Sequence, residues 1–214
     1  MIKKTFPKIT PKITKMATQV KELDINAIVL RTSNTAIKYN SNLESQKRQL
    51  SHVMQKLPAE NESYRFISGK EGFSSYAFID YVAWAEAIDE LCIASFRVGV
   101  FQAENLKLLH ERGRLKFTRL LTGKRFTGGL SKADPFPDVK KIFQDLNWWL
   151  SDVAHHMKFF LMRTAQGNFY TVETSANLNE NPQIEQYTLT NSKDIYDFYH
   201  QVFTAVEARD AAGD

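Results

Sequence analysis

The sequence predicts an α/β fold in which a mixed β-sheet is flanked by helices on both faces. Apolar runs of strand length alternate with segments of helical periodicity from about residue 64 onward. The run LCIASFRV at 91–98 is almost continuously apolar, as expected for a strand that is covered on both faces. Two further apolar runs are separated by Gln166-Gly167-Asn168, a turn sequence that predicts a hairpin.

The predicted elements follow one another closely along the chain. They are a helix at 74–88, a strand at 91–98, a helix at 103–112, a strand at 115–121, a helix at 138–150, a hairpin around 155–175, a strand at 185–189 and a helix at 193–208. Ser74 or Ser75 is placed to cap the first helix, and Gly113 to close the second. Trp148 and Trp149 fall at the end of the third helix, where we expect one ring in the core and one at its boundary.

The part of the chain before the sheet differs in composition. We divide the sequence into a basic N-terminal arm with a helix at 1–62, a domain at 63–208 and a tail at 209–214. The first 21 residues carry six lysines and no acid, and Pro7 and Pro11 disfavour a helix there. Apolar spacing predicts a short strand at 26–31 and a helix at 41–57.

Composition narrows the protein class. The single cysteine, Cys92, excludes a disulfide framework, and its apolar surroundings predict a buried thiol. No segment approaches 18 uninterrupted apolar residues, and the N-terminus lacks the apolar core of a signal peptide. We therefore expect a cytoplasmic protein without membrane association. His155 and His156 are adjacent and would point to opposite faces of a strand, so we expect neither a metal site nor a cofactor.

The charge distribution suits a polyanionic partner. The formal net charge is +4, and lysines and arginines are concentrated in the arm and at 104–125. The candidate nucleic-acid contacts are Arg119, Lys124, Arg125 and Lys132, three of which belong to a loop that contains two glycines. The basic residues of the arm and those at 104–125 are equally compatible with an ordinary solvated surface. The glycine-containing loop is equally compatible with a flexible surface loop that binds nothing. If nucleic acid binds, we expect DNA rather than RNA.

Four polar side chains are predicted to converge at one end of the hairpin. His156 and Lys158 lie two residues apart and would share one face of a strand, and Ser175 and Asn177 would do the same. Lysine and asparagine can hold phosphoryl oxygens, and a neutral histidine can attack phosphorus. A carboxylate such as Glu185 can orient the imidazole. This chemistry requires no metal.

At these residues the sequence resembles the phospholipase D superfamily, whose signature is H-x-K, a hairpin, G-S-x-N and a loop that ends in Glu. Here the pattern is His156-Met-Lys158, then Ser175-Ala-Asn177, then Glu185. The segment FIDYVAWAEAIDELCIASFRVG is similar to the helix and strand that open such domains in bacterial and phage proteins. The resemblance covers roughly residues 69–203 and points to a nuclease-type member with a single motif.

The resemblance implies a role for each matching residue. His156 corresponds to the nucleophile, Lys158 and Asn177 to phosphate ligands, and Ser175 to a supporting serine. Glu185 corresponds to the carboxylate that pairs with histidine across the site, with Glu180 as the alternative.

Two residues depart from the family pattern, one in each half of the signature. The family sequence continues H-x-K-x4-D, but Arg163 occupies the Asp position, and Thr174 replaces the glycine before the serine. The family's Asp is thought to support the fold, and its glycine permits close backbone approach. A catalytically degenerate member is therefore an alternative.

The resemblance also implies an oligomeric state. The family's site uses two H-x-K motifs, whereas this chain has one, so a complete site would require a homodimer. We expect a metal-independent phosphodiesterase, a nuclease that acts through a phosphohistidine at a site shared by two subunits. The alternatives are a non-catalytic nucleic-acid-binding or interaction protein and, more remotely, a lipid phosphodiesterase.

Overall fold

The computed structural model describes residues 50–51, 53–68, 73–123, 136–179 and 184–213, and the backbone of 31–32 and 35–36. The strands are β1 (Arg31–Thr32), β2 (Thr35–Ala36), β3 (Ser63–Ser68), β4 (Ile88–Ser95), β5 (Leu115–Gly123), β6 (Trp149–Val153), β7 (Lys158–Thr164), β8 (Phe169–Thr174) and β9 (Glu185–Asn191). The helices are α1 (Ser75–Ala85), α2 (Val100–Glu111), α3 (Phe136–Asp145) and α4 (Lys193–Ala212).

Seven of the strands form one mixed sheet in the order β3-β9-β8-β7-β4-β5-β6. The pairs β4–β5 and β5–β6 are parallel, and the remaining neighbours are antiparallel. The parallel strands are connected by α2 and α3, as parallel neighbours require a crossover. The antiparallel hairpin β7–β8 turns at Gly167, whose φ of +84° is a conformation that glycine adopts without strain.

Helices cover both faces of the sheet, which confirms the predicted fold class. Buried residues of α1, α2 and α3 form the larger core with one face of the sheet. The helix α4 covers part of the other face, where Tyr196 and Phe203 pack against Cys92, Leu121 and other apolar side chains. Cys92 is fully buried, as its sequence context predicted.

The prediction of one helix over 138–150 was wrong. The helix α3 ends at Asp145, and Asn147 adopts a left-handed conformation with φ 52°, after which the chain enters β6. The Trp148 amide donates to the Phe143 carbonyl at 2.8 Å, a bond that closes the helix end. Trp148 is buried, as expected for one of the two rings, but Trp149 belongs to a strand and contacts Phe203.

Several other boundaries shift. The first helix ends at Ala85 because the next strand, β4, begins at Ile88, three residues earlier than predicted. The strand β4 ends at Ser95. The edge strand β3 was not predicted. The last helix continues to Ala212, beyond its predicted end at 208. Of the strand predicted at 26–31, only Arg31 lies in the described residues, and the division into arm and domain remains a prediction.

Within the described residues, no helix combines the length and apolar character that a membrane crossing requires.

Candidate active site

The site lies at the edge of the sheet that is formed by strand ends, not at an outer strand. Two strands begin there, β7 and β9, and the other five strands end there: β3, β4, β5, β6 and β8. The strand register places Lys158 opposite Ser95 and Ser68 opposite Glu185. Ser175 directly follows β8, and Glu185 is the first residue of β9. The fold thus brings the predicted hairpin residues and Glu185 to the same edge.

His156 and Lys158 contact each other, although not as neighbours on a strand. His156 precedes β7 and is exposed, whereas Lys158 is the first residue of β7. The ammonium group of Lys158 lies 3.2 Å from His156 Nδ1 and donates to the His156 carbonyl oxygen at 3.2 Å. Because an ammonium group can only donate, Nδ1 acts as the acceptor, and the proton of a neutral ring is on Nε2. In this arrangement Nε2 is a proton donor rather than a nucleophile.

Phe96 supports the imidazole of His156. The two ring centroids are 5.2 Å apart, at an interplanar angle of 40°. Phe96 also lies against the end of β5, where a Cβ on Gly123 would be 2.2 Å from Phe96 Cδ2. The Arg97 guanidinium is 5.9 Å from the centre of the same ring. Sequence reasoning missed this contact, and the only local signal for it is a glycine at the end of an apolar strand.

Ser175 connects Glu185 to the strand backbone. Its hydroxyl donates a short hydrogen bond to Glu185 Oε2 and accepts one from the Gln186 amide at 3.0 Å. Glu185 is buried, with 8% of its surface exposed. Burial lowers the pKa of Lys158, and the negative charge of Glu185 acts in the opposite direction.

Asn177 is held by its backbone. Its carbonyl accepts a hydrogen bond from the Ser75 hydroxyl at 3.2 Å, and the next amide, of Leu178, donates to Ser95 Oγ at 2.8 Å. Ser95 is the residue opposite Lys158, so this loop is fixed beside the start of β7. The side-chain Oδ1 of Asn177 is buried and has no hydrogen-bond partner among the described residues. The amide group can therefore turn to a ligand without breaking an internal bond.

His155 does not share the role of its neighbour. Its Nδ1 accepts a hydrogen bond from the Met157 amide at 3.1 Å. Burial lowers the pKa of His155, and the backbone carbonyls of Leu121 and Thr122 act in the opposite direction. The ring is thus part of the packing beneath the site.

Comparisons with known proteins give a structural likeness only. No protein-family model matches the sequence, and no curated protein is similar to it at a significant level. A polyphosphate kinase from Porphyromonas gingivalis matches with a TM-score of 0.50 and 11% identity, over 69% of this chain and 26% of the kinase. The chain therefore spans about a quarter of the kinase. Nuc from Salmonella typhimurium, a phospholipase D family member, matches with a TM-score of 0.48 and 10% identity, over 67% of this chain and 93% of Nuc.

At this level of identity the likeness to the kinase concerns the fold alone, and it agrees with the mixed sheet flanked by helices on both faces.

Arg163, the first departure from the phospholipase D pattern, lies away from the site. It lies five positions after Lys158 along β7, a distance of about 17 Å. Its guanidinium lies 3.5 Å from Glu90 Oε2 and 3.6 Å from Asp89 Oδ2. Glu90 also contacts Arg119, Tyr196 and, more distantly, His200. The position is thus part of an ion-pair cluster that joins β4, β5, β7 and α4.

Thr174, the second departure, closes the turn before the Ser-x-Asn segment. Its hydroxyl accepts a hydrogen bond from the Ala176 amide at 2.9 Å. Threonine side chains make such local bonds in turns, and here the bond fixes the backbone that leads to Asn177.

The predicted nucleic-acid contacts are only partly described. Lys124, Arg125 and Lys132 lie outside the described residues, as does Glu180. Arg119 is ion-paired with Glu90 at 3.0 Å and with Glu207 at 2.6 Å, so its charge is balanced within the fold. Its contact with nucleic acid remains a prediction.

One group of potential metal ligands occurs in the described residues. The ligand atoms of Glu90, Cys92 and His200 lie within 4.8 Å of one another. Two arginines already contact Glu90, and burial raises the pKa of the Cys92 thiol. Because a metal ligand must be a thiolate, and neighbouring guanidinium groups repel cations, this cluster fits an ion-pair network better than a metal centre.

Proposed function

We propose that this chain is a metal-independent phosphodiesterase, and that it is a nuclease whose site is completed by a second copy of the chain. The observation that supports this most strongly is that one edge of the sheet holds the histidine, the lysine, the serine and the carboxylate together, namely His156, Lys158, Ser175 and Glu185. Histidine supplies a nucleophile and lysine a charge for the phosphoryl oxygens, so the residues present provide the chemistry of diester cleavage.

In the first step, His156 Nε2 of one copy attacks phosphorus. A P–N bond forms as the P–O bond to the leaving group breaks, and His156 of the second copy, present as the imidazolium, transfers its Nε2 proton to the departing oxygen and becomes neutral. The Lys158 ammonium and the Asn177 amide bind the non-bridging oxygens, where negative charge is concentrated.

Substrate binding would also change the histidine tautomer. A phosphate draws the Lys158 ammonium away from His156 Nδ1, which can then carry the proton and leave Nε2 free to attack. A carboxylate that accepts from Nδ1–H holds the ring in this form. Glu185 of the second copy is the candidate for this role, because the resemblance assigns to this position the carboxylate that pairs with histidine across the site.

In the second step, the neutral His156 of the second copy removes a proton from water. The resulting hydroxide attacks the phosphohistidine, the P–N bond breaks, and the first imidazole is regenerated. The two histidines therefore alternate between acid and base, which requires two copies because the chain carries one H-x-K sequence.

The preference for nucleic acid rests on charge. The chain carries a formal charge of +4, which suits a polyanion. The relevant experiment measures cleavage of single- and double-stranded DNA and RNA by the wild type and by His156→Asn in the presence of EDTA. We expect cleavage by the wild type and a loss of at least about a thousandfold in the variant.

A matched control is His155→Asn, which changes the adjacent histidine and should retain cleavage when assayed well below its unfolding temperature. Equal rates for the wild type and His156→Asn would refute the mechanism. Loss of wild-type activity in EDTA would refute metal independence. Light scattering tests the shared site separately, since a monomer at assay concentration cannot assemble it.

The second candidate is a nucleic-acid-binding protein that retains the fold without catalysis. It is favoured by the bond between Lys158 and His156 Nδ1, which in a single chain leaves Nε2 protonated. This candidate predicts salt-dependent DNA binding that survives His156→Asn, with no cleavage under any condition.

A further inference from the structure

A groove of about 540 Å³ opens beside the site, on the face of the sheet that α4 covers only in part. Lys158 and Thr174 lie at its rim on the active edge. Its floor consists of side chains from neighbouring strands, and Tyr199 of α4 forms one wall. A volume of this size is in the range of sites that hold small organic ligands.

The floor of the groove is a row of residues in register across four strands. Phe159 of β7 is opposite Glu173 of β8, Glu173 is opposite Thr188 of β9, and Thr188 is opposite Arg65 of β3. Three strand spacings separate the two ends of the row, a distance of about 14 Å. Arg65 thus lies at the end of the groove that is remote from Lys158.

The charges along this row alternate with uncharged side chains. Arg65 is exposed and forms no ion pair with the described part of the chain. Glu173 accepts a hydrogen bond from the Tyr199 hydroxyl through Oε1, which fixes the carboxylate in the middle of the groove. Burial and Glu173 raise the pKa of Tyr199 to about 12, so the hydroxyl stays a donor at neutral pH.

This order of charges suits a chain whose phosphates are separated by uncharged units. A phosphate at Lys158 and another at Arg65 would each meet a cation, whereas a phosphate between them would meet the Glu173 carboxylate. Two nucleosides of a nucleic acid strand span this length, and a sugar or base between the two phosphates can donate a hydrogen bond to the carboxylate while the intervening phosphate faces solvent. Polyphosphate carries a negative charge at every unit and would be repelled.

We propose that the groove binds the two nucleosides next to the scissile phosphate, with the second of the following phosphates on Arg65, and that Glu173 selects nucleic acid over polyphosphate. This inference rests on the proposed function, because it takes Lys158 as the residue that holds the reacting phosphate. Phe159 and Tyr199, whose ring centroids are 4.5 Å apart, supply the apolar wall against which a nucleoside packs.

The experiment measures binding of a labelled single-stranded hexanucleotide, and its competition by polyphosphate of matched length, to the full chain by fluorescence anisotropy. Arg65→Gln should weaken oligonucleotide binding several-fold and reduce the slope of log affinity against log salt by about 0.7, the value for one phosphate contact on a single strand. Glu173→Gln retains the acceptor for Tyr199 and should improve the relative affinity for polyphosphate several-fold. The control is Arg112→Gln, which removes an exposed charge at the end of α2.

The inference is overturned if Arg65→Gln changes the salt slope no more than Arg112→Gln does, or if Glu173→Gln leaves the affinity ratio unchanged. It is also overturned if Arg65→Gln alters the oligomeric state by light scattering without altering affinity, because the groove would then be a subunit interface. Hydrolysis of bis(4-nitrophenyl) phosphate, a diester too short to span the groove, reports on the proposed function independently. If the wild type hydrolyses this compound but Arg65→Gln and Glu173→Gln leave oligonucleotide and polyphosphate binding unchanged, only the present inference is refuted. If the two variants change binding as expected but the compound is not hydrolysed, only the catalytic proposal is refuted.

Discussion

The ring of Phe96 occupies the space that a side chain on Gly123 would fill, and the same ring contacts the imidazole of His156. The end of β5 therefore influences the position of the proposed nucleophile through a single aromatic side chain. Gly123 and Phe96 lie on different strand ends, so the effect of changing one should depend on the other.

Gly123→Ala should destabilise the protein by about 1–3 kcal/mol, because the new methyl group overlaps Phe96. In a Phe96→Ala background the same change should cost much less, since the obstructing ring is absent. Denaturant unfolding of the four proteins in this double-mutant cycle measures the coupling. Additive free energies would contradict the contact. Gly167→Ala, at the remote hairpin turn, should be destabilising because of the positive φ, but by the same amount in both backgrounds, so it is the control for coupling.

The tautomer of His156 should respond to anions. In the free protein we expect the Nε2–H form, because Lys158 donates to Nδ1. Addition of inorganic phosphate should shift the ring toward Nδ1–H as the ammonium group turns to the anion. Nitrogen chemical shifts of labelled histidine report the tautomer directly, and His155 serves as the internal reference. An unchanged His156 spectrum at saturating phosphate would contradict this rearrangement.

Glu185 should control the alkaline limit of anion binding. Burial lowers the pKa of Lys158, and the charge of Glu185 opposes that effect. Glu185→Gln removes the charge but keeps an acceptor for Ser175, so the pKa of Lys158 should fall further. Loss of oligonucleotide affinity with rising pH should then begin at lower pH than in the wild type. Glu111→Gln, an exposed change on α2, should leave the pH profile in place.

Arg163 should not be replaceable by the aspartate that the phospholipase D pattern has at this position. Arg163→Ala should cost about 0.5 kcal/mol of unfolding free energy, because the guanidinium is partly exposed. Arg163→Asp should cost about 1.5 kcal/mol, since a carboxylate would then face Glu90 and Asp89 across the strands. Arg163→Lys retains the charge and is the control. A gain in stability in the aspartate variant would show that the cluster does not stabilise this fold.

Stability should decrease in mild acid because of His155. The pKa of His155 is lowered in the folded protein, whereas an unfolded histidine titrates near about 6.5. As the pH falls below about 6.5, the unfolded state binds a proton that the folded state resists, so the free energy of unfolding falls until the folded pKa is reached. His155→Asn should flatten this part of the profile. Equal pH dependence in the two proteins, measured by denaturant unfolding, would refute the assignment.

The parts of the fold that depend on local pattern could be predicted from the sequence. The hairpin of β7 and β8 follows from two apolar runs and a turn at Gly167, and the motif residues lie at its ends. The buried strand at Cys92 follows from its continuous apolar run. The convergence at one edge then follows from strand order, because antiparallel neighbours begin and end together.

The remaining features depend on contacts that are distant in the sequence. The strand β3 is identified by pairing with β9, about 120 residues later, so its own sequence gives a weak signal. The apolar run that contains Trp149 fits a helix or a strand, and the left-handed Asn147 decides between them. The contact between Phe96 and Gly123 requires two strands to lie side by side, and no local pattern encodes it.

The cluster around Arg163 has a consequence for how related chains are recognised. The family motif has an acidic residue on the strand that follows the histidine. In this chain that strand, β7, carries Arg163 at this position, and the acidic residue that contacts it, Glu90, lies on β4. What this chain has at the position is one member of an opposite-charge pair across two strands, which a comparison of that single position does not register. A rule that scores positions 90 and 163 jointly would register the pair.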